Sequence, residues 1–398
     1  MNLDLPHTRS SAILTALTDA RHRSGTAALG MVLTLVVDVD EIDHHDALRA
    51  AVAAAREHPC RIVTVIRRAA SAPSRLDAEI RVGEESSLAE VIVLRLYGEL
   101  RNQADSIVLP LLLPDAPVLV WWPGQAPTIP SQSPLGLLAK RRVTDAAAAR
   151  NPMAVLKARS QDHSPGDTDL AWTRLTPWRT LLAAALDQPF DQIVAAEVGA
   201  AKNNPSAELL ATWLENQLHV PVERKGTRGP GLTSVQLTTK HGNITISRPD
   251  GRLATLERTG QPDRAVALPR RTTEELLAEE LRRLDPDDIY NETIRRVFGA
   301  GPAPSEVDAG LQTRQSTTAR AMRRKPPMPP SKGAPDSVTA GDAEKSPPSA
   351  GAAKRSPAKK TARKHATAKK PAAKKARAKQ AASKATAKKA SPRKKGGT

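Results

Sequence analysis

The amino-acid sequence predicts an α/β fold: two α/β domains, the first with a mainly parallel sheet and the second with an antiparallel meander plus helices, then a disordered basic C-terminal tail. Three observations predict it. Apolar runs alternate with amphipathic segments over residues 8–122, the pattern of buried parallel strands and their covering helices. Short segments of strand character, separated by Gly, Asn and Pro-Asp-Gly turns, fill residues 220–269. Beyond Phe298 the apolar content collapses. Residues 299–398 hold Val307, Leu311, Met322, Met328 and Val338 and no other Ile, Leu, Val or Met. That is too little apolar surface to offset the entropy of ordering the segment.

Residues 8–23 predict the first helix, with Ile13, Leu14 and Leu17 along one stripe. ALGMVLTLVV (28–37) is nearly continuous in apolar residues and reads as a strand covered on both faces. Asp43 is placed to cap a helix running to about Glu57, with Leu48, Val52 and Ala55 along it. CRIVTVI (60–66) is a second buried strand. In RLDAEIRV (75–82), Leu76, Ala78, Ile80 and Val82 alternate with Asp77, Glu79 and Arg81, which predicts a half-exposed edge strand. EVIVLRL (90–96) and APVLVWW (116–122) are further apolar strands, and ELRNQADSIVLPLLL (99–113) between them has helical spacing.

PGQAPTIPSQSP (123–134) is a turn-rich surface loop. Helical segments are expected at about 135–149 and 152–160, then at 177–187. DQIVAAEV (191–198) reads as a strand and PSAELLATWLENQL (205–218) as a helix. VPVERK, LTSVQLTT, NITISR, LATLER and RAVALP follow as strands of a meander, turning at His241-Gly242-Asn243 and Pro249-Asp250-Gly251. Amphipathic helices at 273–284 and 286–297 close the globular part, the second with Pro286 near its start. The expected organisation is an N-terminal α/β domain at 1–125, a loop and helical connection at 126–165, and a C-terminal α+β domain at 166–298. A disordered linker at 299–345 and a Lys/Ala/Pro-rich tail at 346–398 follow.

Charge is partitioned along the chain. The net charge is +18, and residues 346–398 alone carry eighteen Lys/Arg with no Asp or Glu, so residues 1–345 are balanced. Cys60 is the only cysteine, which excludes an internal disulfide and a cysteine-based metal cluster and suits a reducing cytoplasm. The opening MNLDLPHTRSS has no basic stretch followed by an apolar run, so no signal peptide is expected. Asp115 and three prolines interrupt the most apolar region, 107–122, so no membrane span is expected.

Motifs that carry chemistry are scarce. G-x-x-x-x-G-K-[ST], G-x-G-x-x-G after a strand, G-x-S-x-G and H-E-x-x-H are all absent. GTRGPG (226–231) is glycine-rich but joins two strands and opens no helix, so it reads as a turn and not as a phosphate loop. DVDEIDHHD (38–46) has the donors of a metal site, yet its place between strand and helix favours capping and solvation. His58 and Cys60 would make a thiolate–imidazole pair, but Cys60 begins an apolar strand, where cysteine behaves as a small hydrophobe.

Tryptophan is concentrated at two places. Trp121 and Trp122 end an apolar strand, where neighbours face opposite sides and where ligands of open α/β sheets bind. GDTDLAWTRLTPWR (166–179) packs Trp172, Trp178, Asp167, Asp169, Arg174 and Arg179 into fourteen residues. Thr176-Pro177 reads as a helix start that turns Trp178 toward the core, which leaves GDTDLAW as the expected exposed surface. Trp172, Arg174, Arg179, Asp169, Trp121 and Trp122 are accordingly the candidates for a partner interface.

Longer blocks carry a family resemblance. REHPCRIV (56–63), LDAEIRV (76–82), VIVLRLYGEL (91–100), SIVLPLLLPDAPVLVWWPG (106–124), PGDTDLAWTRLTPWRTLLAAALDQP (165–189), RPDGRLATL (248–256), GQPDRAVALPRR (260–271) and LAEELRRLDPDDIY (277–290) occur in order. With them the chain resembles the OpcA family of glucose-6-phosphate dehydrogenase assembly proteins over almost all of residues 1–298. The resemblance implies a non-enzymatic factor without cofactor, metal or catalytic residue. Its partner would be glucose-6-phosphate dehydrogenase and its place the cytoplasm, where it would raise flux into the oxidative pentose phosphate pathway. The tail departs from that pattern and resembles Lys/Ala-rich histone-like tails in composition. Lys359, Lys360, Lys369, Lys370, Lys374, Lys375, Lys388, Lys389, Lys394 and Lys395 are its candidates for binding DNA or RNA without sequence preference, which would associate the chain with the nucleoid; the same charge run reads equally as a solubilising tail that meets nucleic acid only incidentally.

Overall fold

Apolar patterning sets the first half of the fold. The computed structural model describes residues 1–24, 30–82 and 89–299; the linker beyond Gly299 and the basic tail with its ten lysine candidates lie outside the described residues. Strand β1 (Asn2–Leu5) leads into helix α1 (Ser10–Ser24). Strand β2 (Leu33–Asp40), helix α2 (His44–Ala54) and strand β3 (Cys60–Arg67) form a strand–helix–strand unit. Strands β4 (Arg75–Arg81) and β5 (Ala89–Tyr97), the short helix α3 (Ala104–Val108) and strand β6 (Val118–Trp121) follow. Helix α4 (Pro134–Leu137), strand β7 (Arg141–Thr144), helix α5 (Pro152–Gln161) and strand β8 (Asp167–Asp169) come next. Strand β8 runs directly into helices α6 (Leu170–Thr173) and α7 (Thr176–Ala185).

These eight strands form one sheet in the order β1-β4-β5-β3-β2-β6-β7-β8. From β5 to β8 every neighbouring pair is parallel, whereas β4 and β1 run antiparallel at one end. Counted along the chain, the parallel strands stand in the order 3-2-1-4-5-6, that of a doubly wound nucleotide-binding sheet. Both faces are covered, which is why the strands read as continuous apolar runs. Ile13, Leu17 and Ala20 of α1 pack with Val36, Val63, Val65 and Val120 on one face. Ala47, Leu48 and Ala51 of α2 pack with Leu35, Val37, Ile62 and Leu119 on the other.

Four expectations are corrected here. Strand β4 is not an edge: β1 pairs with it from Asn2↔Arg81 to Leu5↔Ala78, and four residues are too short a pattern to read. The expected helix at 99–113 is broken into α3 and flanking 3₁₀ turns, because Pro110 lacks an N–H and crowds the preceding turn. Asp43 stands at the start of α2, but its side chain makes no capping bond. In place of a helix over 135–149, α4 stops after one turn and Arg141-Arg142-Val143-Thr144 forms a buried strand. Two arginines hide that strand from any hydropathy pattern.

The second sheet begins with strand β9 (Ile193–Ala200), followed by helix α8 (Pro205–Leu218) and strand β10 (Val222–Gly226). Strands β11 (Leu232–Thr239), β12 (Gly242–Ser247), β13 (Leu253–Arg258) and β14 (Gln261–Ala267) are the expected antiparallel meander. Strand β10 leaves that meander and pairs parallel to β9, on its far side from β11. Helices α9 (Thr273–Arg282) and α10 (Asp288–Arg296) follow. Trp172, Trp178, Leu182, Leu209, Leu210, Val235, Ile246, Tyr290 and Ile294 share the core of this sheet.

Helix α9 does not stay with the second sheet. Leu276, Leu277, Ala278 and Leu281 join Val143 and Leu170 in the core of the first. Arg141 of β7 donates Nε and Nη2 to the Glu280 carboxylate at 2.8 and 2.6 Å, and Nη1 to the Asp285 carbonyl at 2.7 Å. The Thr173 hydroxyl donates to the other oxygen of Glu280. Burial raises the Glu280 pKa, and Arg141 and Thr173 oppose that rise. Removing one partner of such a pair leaves a buried charge alone. Glu280→Ala is therefore expected to cost about 3–5 kcal/mol in urea unfolding, whereas Arg141→Met with Glu280→Leu recovers most of that loss.

Candidate functional site

In a sheet of this strand order, ligands bind beyond the strand ends where the order reverses, here between β2 and β6. The side chains there are closed on one another. Trp122 Nε1 donates to Asp38 at 3.1 Å, and Arg67 pairs with the same carboxylate through Nε at 3.0 Å and Nη2 at 2.9 Å. The end of β2 and the turn after it read Asp40-Glu41-Ile42-Asp43, where a dinucleotide site needs glycines that admit a pyrophosphate. Three carboxylates at that turn repel such a group. Trp121 is buried on the opposite face from Trp122, as strand alternation requires, and its Nε1 has no acceptor.

The other chemical candidates resolve similarly. Among the described residues, no group of three or more His, Cys, Asp or Glu could hold a metal ion. Glu41 pairs with Arg68 and Asp46 with Arg49. Cys60 is fully buried, and burial pushes its thiol up to about 12, which removes the thiolate a nucleophile would need. No helix among the described residues is long and apolar enough to cross a membrane.

GDTDLAW is buried throughout, contrary to the expected exposed surface, because Asp167–Asp169 pairs with β7 as the last strand of the first sheet and the residues after it enter the core. Asp169 is fully buried and accepts from the Thr144 hydroxyl at 2.6 Å and from the amides of Ala146 and Ala171 at 2.9 Å each. Burial and the neighbouring Asp145 raise its pKa, against those bonds. Trp172 Nε1 donates to Asp287 at 2.9 Å, and its ring lies 5.6 Å from that of Tyr290. Four of the six interface candidates, Trp121, Trp122, Asp169 and Trp172, are thus inside the fold. Arg174 and Arg179 remain partly accessible. Arg174 pairs with Asp145 at 2.8 and 2.7 Å, and Arg179 lies 3.8 Å over the Trp172 ring. Thr176 is the first residue of α7 and not its cap, and its hydroxyl donates to Glu279 at 2.7 Å.

A cavity of about 440 Å³ opens beside this stretch, beyond the ends of β7 and β9. Arg174, Lys202, Arg248, Arg270 and Arg271 line it, against one carboxylate, that of Asp145. The Asp145 charge is taken by Arg174, and Arg271 pairs with Glu279. Among its lining residues there is no histidine, no cysteine and no unpaired carboxylate. Gly231, last of GTRGPG, meets here the start of α8, capped by Asn204. In the sequence that loop opens no helix; the fold brings it a helix N-terminus from elsewhere in the chain. Lys202, Arg248 and Arg270 lie in three separate segments, so no local pattern marks them. The glycine-rich loop was the one signal that pointed here.

The architecture defines a class, a two-sheet α/β scaffold with a cationic cavity between strand ends and no nucleophile–base pair in it. Comparison gives the family. The family description "Glucose-6-phosphate dehydrogenase subunit N-terminal domain" matches residues 51–161, and the corresponding C-terminal domain matches residues 165–294. The chain belongs to this OpcA family. It is similar to a putative OxPP cycle protein OpcA of Synechococcus elongatus, 31% identical over 186 residues, or 41% of this chain and 40% of that protein. The counterpart of Synechocystis sp. is 25% identical over 185 residues, or 41% of this chain and 38% of that one. The chain thus spans less than half the length of these relatives. Among solved structures, a 3-ketoreductase, KijD10 of Actinomadura kijaniata, overlaps with a TM-score of 0.39 at 11% identity, over 67% of this chain and 95% of that one. A Clostridium difficile dehydrogenase overlaps with a TM-score of 0.37 at 8% identity, over 71% and 99%. Overlaps so loose carry no argument about activity.

Beside Tyr290 lies a titratable group, His163, which bonds Asn291 at 2.7 Å and meets the Tyr290 ring edge-on at 5.5 Å. Burial lowers its pKa below the ordinary 6.5; Asn291 and Asp167 oppose this, while Arg295 and Arg142 reinforce it. A base with a depressed folded pKa destabilises the fold as pH falls through its unfolded value, because the unfolded chain takes the proton first. Stability is therefore expected to fall below pH 6.5, with a slope of up to about 1.4 kcal/mol per pH unit. In pH-dependent urea unfolding His163→Gln should flatten that slope.

Proposed function

We propose that this chain is a non-enzymatic assembly factor that activates glucose-6-phosphate dehydrogenase by binding its active conformation or oligomer more tightly than its inactive one. One observation carries the reading: both domain descriptions of a dehydrogenase-subunit family match, in order and almost without a gap, over residues 51–294. The side-chain chemistry agrees. The nucleotide-type strand order is joined to an acidic turn in place of a glycine-rich one, and Cys60 is buried as a thiol. Such a chain acts through surface and rigidity, and only a difference in affinity between two states of the partner shifts their equilibrium. Substrate turnover then belongs to the partner, in the cytoplasm.

The test is a titration of the full chain into the dehydrogenase of the same genome, following complex formation by size-exclusion chromatography and activity in parallel. A saturable rise in activity at the stoichiometry of a defined complex is expected. A stable complex with unchanged activity and unchanged oligomeric state, or no complex at micromolar concentrations, contradicts the proposal.

A further inference from the structure

We propose that the cavity at the start of α8 binds a phosphomonoester, a small polar molecule bearing one doubly charged phosphoryl group. Arg248 carries the argument. It is 5% exposed and lines the cavity. Its Nη1 and Nη2 donate to the carbonyls of Leu268 and Leu232 at 2.8 and 3.1 Å, and its Nε has no acceptor. The guanidinium lies 4.9 Å from the centre of the Trp178 ring. No carboxylate among the described residues forms an ion pair with it, so a buried cation is left without its counter-charge. Loss of hydration on burial lowers its pKa, repulsion from Arg270 lowers it further, and Asp250 opposes both. Among the described residues the Arg248 charge is met only by two backbone carbonyls and the Trp178 ring, and a buried cation so placed attracts an anion.

The surroundings specify the anion. Lys202 and Arg270 are exposed and likewise make no ion pair among the described residues, so three unmatched cations face one space. Gly231 has φ +68°, and a Cβ placed there would meet Arg270 Nη2 at 3.7 Å and Asn204 Nδ2 at 3.8 Å, so both side chains already lie across the loop. The fourteen-residue helix α8 directs the positive end of its dipole here. Asn204 Oδ1 already takes the amides of Ser206 and Ala207, so the helix supplies field and the side-chain cations supply the hydrogen bonds. Unmatched cations with guanidinium geometry favour a phosphoryl dianion over a single carboxylate. A cavity of about 440 Å³ holds more than an inorganic ion, and falls in the range of small-ligand sites. Trp178 is covered, so no aromatic face is offered to a base, and Asn203 and Asn204 are placed to meet hydroxyl groups.

The experiment uses the full chain without any dehydrogenase, so its outcome is independent of the assembly reading. Calorimetric titration with inorganic phosphate, a hexose monophosphate and the parent hexose is run near physiological salt. One-site saturable binding is expected for both phosphate compounds, tighter for the ester, and none for the hexose. Lys202→Ala with Arg270→Ala removes two exposed cations and should weaken the ester by about tenfold or more, with unliganded thermal stability retained or raised. Absence of saturable binding at millimolar ester overturns the proposal. So does equal binding by the double variant, which would place the ester elsewhere on the chain, or equal binding of hexose and ester.

Discussion

The buried pair of Arg141 and Glu280 is the constraint on which the rest of the arrangement depends. Arg141 lies in β7, near the far end of the first sheet, and Glu280 lies in α9, after the whole of the second sheet. Their contact brings the end of the globular chain back onto the sheet with which it began. Each member is unaffordable alone and tolerable together, because two guanidinium nitrogens converge on one oxygen of Glu280 and the Thr173 hydroxyl meets the other, satisfying the charges as they are removed from water. The pair thus specifies where α9 must sit, while the apolar contacts of Leu276, Leu277 and Leu281 supply the driving force for it to sit at all.

Around that pair, the segment from Asp167 to Trp178 joins the two sheets. Asp169 holds the exit of β7, Trp172 is tied to Asp287 at the start of α10, and Trp178 enters the core of the second sheet. Scarce tryptophan and paired charge are concentrated here because one short segment must satisfy partners from both halves of the chain. Arg142, beside Arg141, pairs with Asp167 and thereby fixes β8 in the sheet. The same junction leaves Arg174 at the rim of the cavity, so the wiring of the fold and the cationic site share residues.

Much of this was legible in sequence, for physical reasons that differ by element. Helix α8 was readable in full, since Asn204 and Pro205 mark its start and apolar spacing its length, and β11 and β13 were bounded by their turns. The opposite facing of Trp121 and Trp122 followed from the two-residue repeat of a strand. Strands β7 and β8 escaped because arginine and aspartate read as surface until their partners are known, and those partners are distant in sequence or paired across strands. The exposure expected for Trp172 failed likewise, since Asp287 lies 115 positions away. The cationic cavity draws on six separated segments, and only its glycine-rich loop has any local signature.

If the Arg141–Glu280 contact and the Trp172 junction couple the sheets as described, residues 1–299 form one cooperative unit and act on a partner as a rigid body. Differential scanning calorimetry of the full chain tests this most directly, with Trp fluorescence and far-UV circular dichroism followed over the same temperatures. The account predicts a single transition, coincident by all three probes, with calorimetric and van't Hoff enthalpies equal. Two separated transitions, one for each sheet, would contradict it.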